Sequence, residues 1–509
     1  MYIHISMPQN NSLNMVKLSD TNPALNASTG IAGLDEILCG GLTPDRLYLV
    51  EGMPGAGKTT LALQFLMEGV RNQEPVLYIT LSETQNELEA VAESHGWNLD
   101  GIQVHEVITS EDLLDPSQQH TMFHPSEVEL GDTTRNISTI VETLKPKRVV
   151  IDSLSELRLL AGNPLRYRRQ ILAYKQFFAR RACTVLMLDD RPDTHDMQIR
   201  SIAHGVIGLD QADSDYGIGR RRLRVIKYRG VASRDGYHDY KIRRGGVVVF
   251  PRLVAAATRA FSKRQQISTG IPELDTQFGG GIDVSTSTMI GGPPGTGKST
   301  LAAQFVAAAI ARGDKAGMFI FEESINVLLN RCEGIGLDLK GALDAGTVTI
   351  QQIDPAEMTP GEFTAQVCTA VKNGAKLIVI DSLNGYLNAM PNDRFLTLHL
   401  HELLSYLGQH GVTTIIVGVH QGILGGNMSS TIDASYLADN VLLLRHFEFN
   451  GEVRQAISVF KKRGSVHERS IREYSISDQG IRVGRVLEQF HGVLTGVPTF
   501  EGHKLDDED

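Results

Sequence analysis

Two octapeptides carry the residue types that grip polyphosphate: Gly52-Met53-Pro54-Gly55-Ala56-Gly57-Lys58-Thr59 and Gly292-Pro293-Pro294-Gly295-Thr296-Gly297-Lys298-Ser299. Their glycines let the backbone wrap phosphate oxygens with its N–H groups, and a helix that follows adds partial positive charge at its N-terminus. Lys58 and Lys298 are expected to reach the β and γ phosphates of ATP. Thr59 and Ser299 are expected to coordinate Mg2+, with Thr60 and Thr300 opening the helices. A Gly-rich turn would not explain a lysine and a hydroxyl repeated 240 positions apart.

Acids that could complete such a site follow each loop. The apolar run Arg148-Val149-Val150-Ile151 ends in Asp152, and Leu377-Ile378-Val379-Ile380 ends in Asp381, each a candidate second magnesium contact. Glu83 in the first copy, and Glu322 with Glu323 in the second, are candidates to orient or deprotonate the group that attacks the γ-phosphate. Ser82 stands where the second copy has Glu322. The bland alternative for these acids is a helix N-cap. Lys227 with Arg229, and Lys461 with Arg463, each lie two apart on an expected strand and so on one face. In a ring of subunits that face would offer charge to a neighbour's γ-phosphate. A solvated basic edge strand would look the same in sequence. The run Gly219-Arg220-Arg221-Arg222-Leu223-Arg224 is a weaker nucleic-acid candidate, because no aromatic residues are interleaved with it.

The elements that must position these residues are duplicated too. Ser28-Thr29-Gly30-Ile31, Leu34-Asp35 and Gly40-Gly41-Leu42 recur 240 positions later as Ser268-Thr269-Gly270-Ile271, Leu274-Asp275 and Gly280-Gly281-Ile282. Within each copy short apolar strands alternate with amphipathic helices, which specifies the α/β class: two tandem P-loop domains with mostly parallel sheets flanked by helices. Strands at 47–51 and 287–290 enter the loops, and helices from 60 and 300 are expected to end near Gly69 and Gly313. Further strands at 76–83, 318–323, 148–153, 377–382, 184–190 and 413–421 bring the acids to the strand C-termini, where open parallel sheets bind ligands. The expected boundaries are a tail at 1–19, domain one at 20–252, a linker at 253–266, domain two at 267–490 and a tail at 491–509.

Composition narrows the partners. The 49 basic and 59 acidic residues give a net charge of −10, poor provision for gripping nucleic acid. Four scattered cysteines, without zinc spacing, read as reduced core thiols in a cytoplasm. Neither a signal peptide nor an apolar run long enough to cross a bilayer is expected.

Taken together, the two loops, the Glu322-Glu323 pair, the segment Val459-Phe460-Lys461-Lys462-Arg463-Gly464-Ser465 and Ile471-Arg472-Glu473 resemble the KaiC family of circadian-clock ATPases and autokinases from about 25 to 490. The resemblance implies two tandem RecA-like P-loop NTPase domains and a homohexamer of two stacked rings with ATP at subunit interfaces, and raises the basic pairs to a role in trans. It also implies serine/threonine autokinase activity in domain two. The family's acceptor Ser aligns with Ser435 and its acceptor Thr with Tyr436, with Ser429, Ser430 and Thr431 nearby. The resemblance further implies a timing or signalling switch read by a KaiB-like or signalling partner. Residues 484–498 depart from the tail that KaiA grips, so dependence on KaiA is not expected. The rival classes are a nucleic-acid-dependent motor and an ATP-assembled scaffold.

Overall fold

A computed structural model describes residues 26–107, 125–190, 198–212, 217–254, 265–388, 396–418, 437–494 and 499–500. The chain divides into two compact units, Met1–Ala212 with Arg221–Pro251 and Asp213–Arg220 with Arg252–Asp509.

Domain one is built on β1 (Leu47–Gly52), β2 (Val76–Thr80), β3 (Ile102–Glu106), β4 (Arg148–Asp152), β5 (Thr184–Asp190), β6 (Gly205–Ala212), β7 (Arg220–Tyr228), β8 (His238–Arg243) and β9 (Gly246–Phe250). One sheet holds them in the order β3-β2-β4-β5-β1-β6-β7-β8-β9. Strands β1 to β6 pair in parallel, while β7, β8 and β9 pair antiparallel with one another.

Domain two opens with a small antiparallel pair, β10 (Gln266–Ile267) and β11 (Ile282–Asp283). Its main strands are β12 (Ser287–Gly291), β13 (Lys315–Ile320), β14 (Val348–Gln352), β15 (Ala375–Asp381), β16 (Thr413–Gly418), β17 (Asn440–Phe449), β18 (Glu452–Lys462), β19 (Arg472–Ser477) and β20 (Gly480–Val486). Their order, β14-β13-β15-β16-β12-β17-β18-β19-β20, repeats that of domain one strand for strand. The central parallel strands are buried and largely apolar because both faces are covered, while the outermost, β3 and β14, carry polar residues. Tyr48 and Val50 enter one core, while Leu47 and Leu49 enter another on the opposite face.

The duplicated Ser-Thr-Gly segments earn their repetition structurally. Ser28 and Thr29 hydroxyls donate to Asp35 at 2.7 Å each, and Ser268 and Thr269 donate to Asp275 at 2.5 and 2.7 Å. Each carboxylate thereby fixes the turn that feeds the first helix.

Several sequence expectations shift. The first loop helix runs Lys58–Arg71, so Gly69 lies inside it. A Cβ there would come within 2.6 Å of Val76 and 2.7 Å of Arg148, so Gly69 serves close packing rather than termination. Strand β2 ends at Thr80 and β13 at Ile320, before the acids. Strands β7 and β18 each lie between two neighbours, but β8 pairs with Arg221–Leu223 and β19 with Gln455–Ile457, so the outer pairing stops short of both basic pairs. At the C-terminus, β21 (Phe490–His491) pairs with β22 (Thr499–Phe500), and Phe490 and Phe500 stack among Phe447 and Phe449. That part of the expected tail therefore packs on domain two. The four cysteines are free thiols, and three are buried. No helix among the described residues is long and apolar enough to cross a membrane.

Candidate active sites

Each phosphate loop joins a strand to a helix, as the motif requires. The loops turn through glycines in the left-handed region: Gly55 and Gly57 at φ 80° and 90°, and Gly295 and Gly297 at 80° and 86°. Gly57 and Gly297 also sit at the N-cap positions of the helices that begin at Lys58 and Lys298. A side chain there would be strained, and at Gly297 a Cβ would meet Ile476 at 2.3 Å. The Ala56 carbonyl accepts from the Tyr240 hydroxyl at 2.7 Å, and Thr296 donates to the Pro293 carbonyl at 2.9 Å, which braces both loops.

In domain one the loop's functional groups bond to one another. Lys58 Nζ donates to the Gly52 carbonyl at 2.9 Å and to Asp190 Oδ1 at 2.8 Å. Asp152 Oδ2 accepts from Thr59 at 3.1 Å and from the Tyr78 hydroxyl at 2.5 Å. Burial raises the pKa of Asp152 despite those two donors. Two further acids at this end are neutralised by arginines: Glu51 by Arg200, and Asp189 by Arg158 at 2.5 Å. Glu83 follows β2, with its backbone tied to the Thr80 hydroxyl, and its Oε2 is buried with no hydrogen-bond partner among the described residues. Burial, then Asp152 and Glu87, raise its pKa, while Lys58 opposes the shift.

Domain two keeps the positions and changes the partners. Lys298 Nζ donates to the Pro293 carbonyl at 2.7 Å. Burial lowers its pKa, and attraction from Asp381 and Glu322 works the other way. Asp381 accepts from Ser299, and burial pushes it up to about 6. Its Oδ2 is buried with no partner among the described residues. Met318 occupies the position of Tyr78 and brings no hydroxyl to that oxygen. Glu322 Oε1 accepts from Ser382 at 2.5 Å, and Glu323 is held by both nitrogens of the Arg331 fork, at 2.7 and 2.8 Å. Thr84 and Ser324 cap the helices that follow, so Glu83 and Glu323 stand one residue outside the cap and the N-cap alternative fails.

The basic pairs lie at the far end of each sheet. A Cβ on Gly205, beside Tyr48 at the start of β1, would come 3.4 Å from the Lys227 carbonyl, and Lys461 pairs with Val441 beside Met289. The phosphate loop leaves the opposite end of β1, roughly 17 Å along a six-residue strand. Lys227 donates to the carbonyls of Arg200, Ser201 and Ala203, and Arg229 to that of Ser201. Lys461 donates to the Ala438 carbonyl at 2.9 Å, and Arg463 pairs loosely with Asp439 at 3.8 Å. Arg229 and Arg463 fall just past their strands. Ser435, Tyr436 and residues 429–431 lie outside the described residues.

Comparison with known proteins matches this architecture twice over. A sequence model of the family described as "ATPase: KaiC" matches residues 27–254 and again 267–488. The chain belongs to the KaiC ATPase family. It is 28% identical to the circadian clock oscillator protein KaiC of Acaryochloris marina over 484 residues, 92% of this chain and 91% of that one. To the KaiC of Synechococcus elongatus it is 28% identical over 485 residues, covering 92% and 91%, and to the circadian clock protein KaiC3 of Synechocystis 27% over 481, covering 93% and 94%. This KaiC-family chain is thus a nucleotide-using ATPase built from a duplicated domain.

Sequence reasoning missed four side chains that shape the sites. Asp190, Tyr78, Ser382 and Arg331 belong to no phosphate-loop pattern. Asp190 and Ser382 carried a faint signal as polar residues at or just past the ends of apolar strands; Tyr78 and Arg331 carried none.

Proposed function

We propose that this KaiC-family ATPase assembles as a homohexamer of two stacked rings, and that domain two transfers the γ-phosphoryl group of ATP to a hydroxyl of its own chain. Nucleotide state and phosphorylation then act as a timing or signalling switch in the cytoplasm. The observation that carries the kinase reading is Glu322. Its carboxylate is oriented by Ser382 next to Asp381, and it acts electrostatically on Lys298, beside the path of an attacking group. The acceptor oxygen of Ser435 attacks phosphorus, the bond to the ADP oxygen breaks, and the hydroxyl proton passes to the carboxylate. Tyr436 is the second acceptor, with 429–431 as alternatives.

The residues present fit Mg2+-ATP. The loops offer backbone N–H groups in a glycine-built cradle, and the buried, unpartnered Asp381 Oδ2 is suited to a metal or to a water bound to it. Thr59 with Asp152, and Ser299 with Asp381, would hold the ion. When bound, it neutralises charge on the β and γ phosphates.

Lys227, Arg229, Lys461 and Arg463 support the ring. At the far end of their own sheets they are remote from their own phosphates, so a neighbour is the site they can complete. A KaiB-like or signalling partner would read the ring. A net charge of −10 disfavours nucleic acid. Incubation with radiolabelled ATP followed by peptide mapping tests the proposal: label is expected within 425–440 and lost in Glu322→Gln. Label elsewhere, or none, removes the kinase reading. ATPase stimulation by single-stranded DNA would favour the motor instead.

A further inference from the structure

In domain two Glu322 and Glu323 both act electrostatically on Asp381, and Asp381 and Glu322 in turn attract Lys298. Arg331 supplies a second positive charge. Its Nη1 donates to Glu323 Oε2 at 2.7 Å and its Nη2 to Oε1 at 2.8 Å, with the arginine 32% and the glutamate 20% exposed. A fork that engages both oxygens fixes the plane of a carboxylate as well as its charge.

The chain geometry makes this grip local and reproducible. Glu323 stands immediately before the cap Ser324, and Arg331 lies in the last turn of the same helix, Ile325–Glu333. Leu328 and Cys332 anchor that helix in the core. Arg331 therefore reaches back along a helix whose position is set by burial. Domain one has Val91 at the equivalent position, 240 residues earlier, and its Glu83 has no such partner.

We propose that Arg331 is a positioning residue for the domain-two reaction: by occupying both oxygens of Glu323 it leaves Glu322, oriented by Ser382, as the carboxylate that takes the proton. The proposal rests on reading Glu322 and Glu323 as the acids beside the γ-phosphate. In the step it serves, the attacking oxygen bonds to phosphorus and the bond to the ADP oxygen breaks. The displaced proton goes to Glu322 Oε2 and then to solvent. Glu323 keeps its two hydrogen bonds to the guanidinium and holds Arg331 in place.

The test uses the full chain in a Glu83→Gln background, so that ADP formation together with labelled phosphoprotein reports domain two. Arg331→Gln is expected to lower kcat about tenfold or more with KM for ATP changed less than about twofold. Arg331→Lys should recover part of the rate, since an ammonium restores the charge without the fork. In a Glu323→Gln background the same Arg331→Gln change should have almost no further effect, because the two side chains act as one unit. An unchanged kcat, or a loss that persists in full without Glu323, overturns the proposal. A thermal melt accompanies each variant, and a loss explained by a lowered midpoint and raised KM also overturns it. Glu322→Gln separates the two readings: if it leaves kcat unchanged, the acid assignment fails, whatever Arg331 does.

Discussion

The two nucleotide sites share a backbone and differ in what their side chains bond to. In domain one the loop lysine and the acid ending β4 are satisfied from within, Lys58 by Asp190 and Asp152 by Tyr78, while Glu83 has a buried oxygen without a partner among the described residues. Domain two reverses the pattern. Lys298 reaches a backbone carbonyl and Asp381 keeps an unpartnered oxygen, while Glu322 and Glu323 are held by Ser382 and Arg331. The difference teaches that a duplicated phosphate loop fixes where ATP binds, whereas the neighbours at the strand ends decide which groups must be displaced on binding and which are already aimed. A site whose lysine is engaged must break an ion pair to take phosphate. A site whose acids are fixed in advance is prepared for transfer.

The largest test removes what the domains share. Lys58→Ala and Lys298→Ala should each weaken ATP binding at their own domain by about a hundredfold or more, since an unpaired phosphate charge costs roughly 3 kcal/mol. Titration of a fluorescent ATP analogue should then show half the tight sites. Equal loss at both domains from either change would break the picture of separate sites.

A second test targets a lock present only in domain one. Arg148 is fully buried, donates to the Ser28 carbonyl at 2.6 Å and the Phe65 carbonyl at 2.9 Å, pairs with Glu74 and lies over the Phe65 ring. Leu377 stands at the equivalent strand position in domain two, where Arg312 reaches the matching Ser268 carbonyl from a helix end at 2.7 Å. Arg148→Ala should destabilise domain one by about 3 kcal/mol and leave the domain-two transition in place, as read by calorimetry.

A smaller effect should sharpen the contrast in the lysines. Asp190→Asn removes the competitor for Lys58 and should tighten ATP binding at domain one about five- to tenfold, an amount in keeping with a half-exposed ion pair. In the sequence Val419 follows Gly418 where Asp190 follows Asp189, so domain two carries no carboxylate at that position.

The smallest concerns pH. Burial, opposed by Arg158, pushes Asp189 up to about 6 from 3.8, so folded domain one holds more protons than the unfolded chain between those values. Its stability contribution is present below about pH 4 and is lost as pH rises through about 6. Asp189→Asn should flatten that slope in domain one, changing the midpoint by a few degrees between pH 4 and 6. Gly418 at the matching position gives domain two no equivalent group.

Much of this was legible in the chain itself. The loops, the strand-terminal Asp152 and Asp381 and the 240-residue offset are local features with fixed chemistry, and the apolar runs announced a sheet covered on both faces. Gly69 was misread because a glycine near an expected helix end looks the same in sequence whether it stops a helix or makes room for Arg148. The basic pairs lie at the ends of β7 and β18, beyond the stretches that pair with β8 and β19, and both arginines fall outside the strands, which no two-residue spacing could announce.

What the sequence determined by itself was the set of short-range geometries: glycines that permit a phosphate cradle, an acid at the end of a buried strand, and a capping hydroxyl after Glu83 or Glu323. These depend on neighbours a few residues away. Tertiary structure alone decided the pairings across 60 to 132 residues, Glu322 with Ser382 and Lys58 with Asp190, and the contribution of Tyr78 to Asp152. Those partners meet because parallel strands distant in sequence end side by side. A hydrogen bond between such ends has no local signature, so only the folded sheet could show that two nearly identical loops face different company.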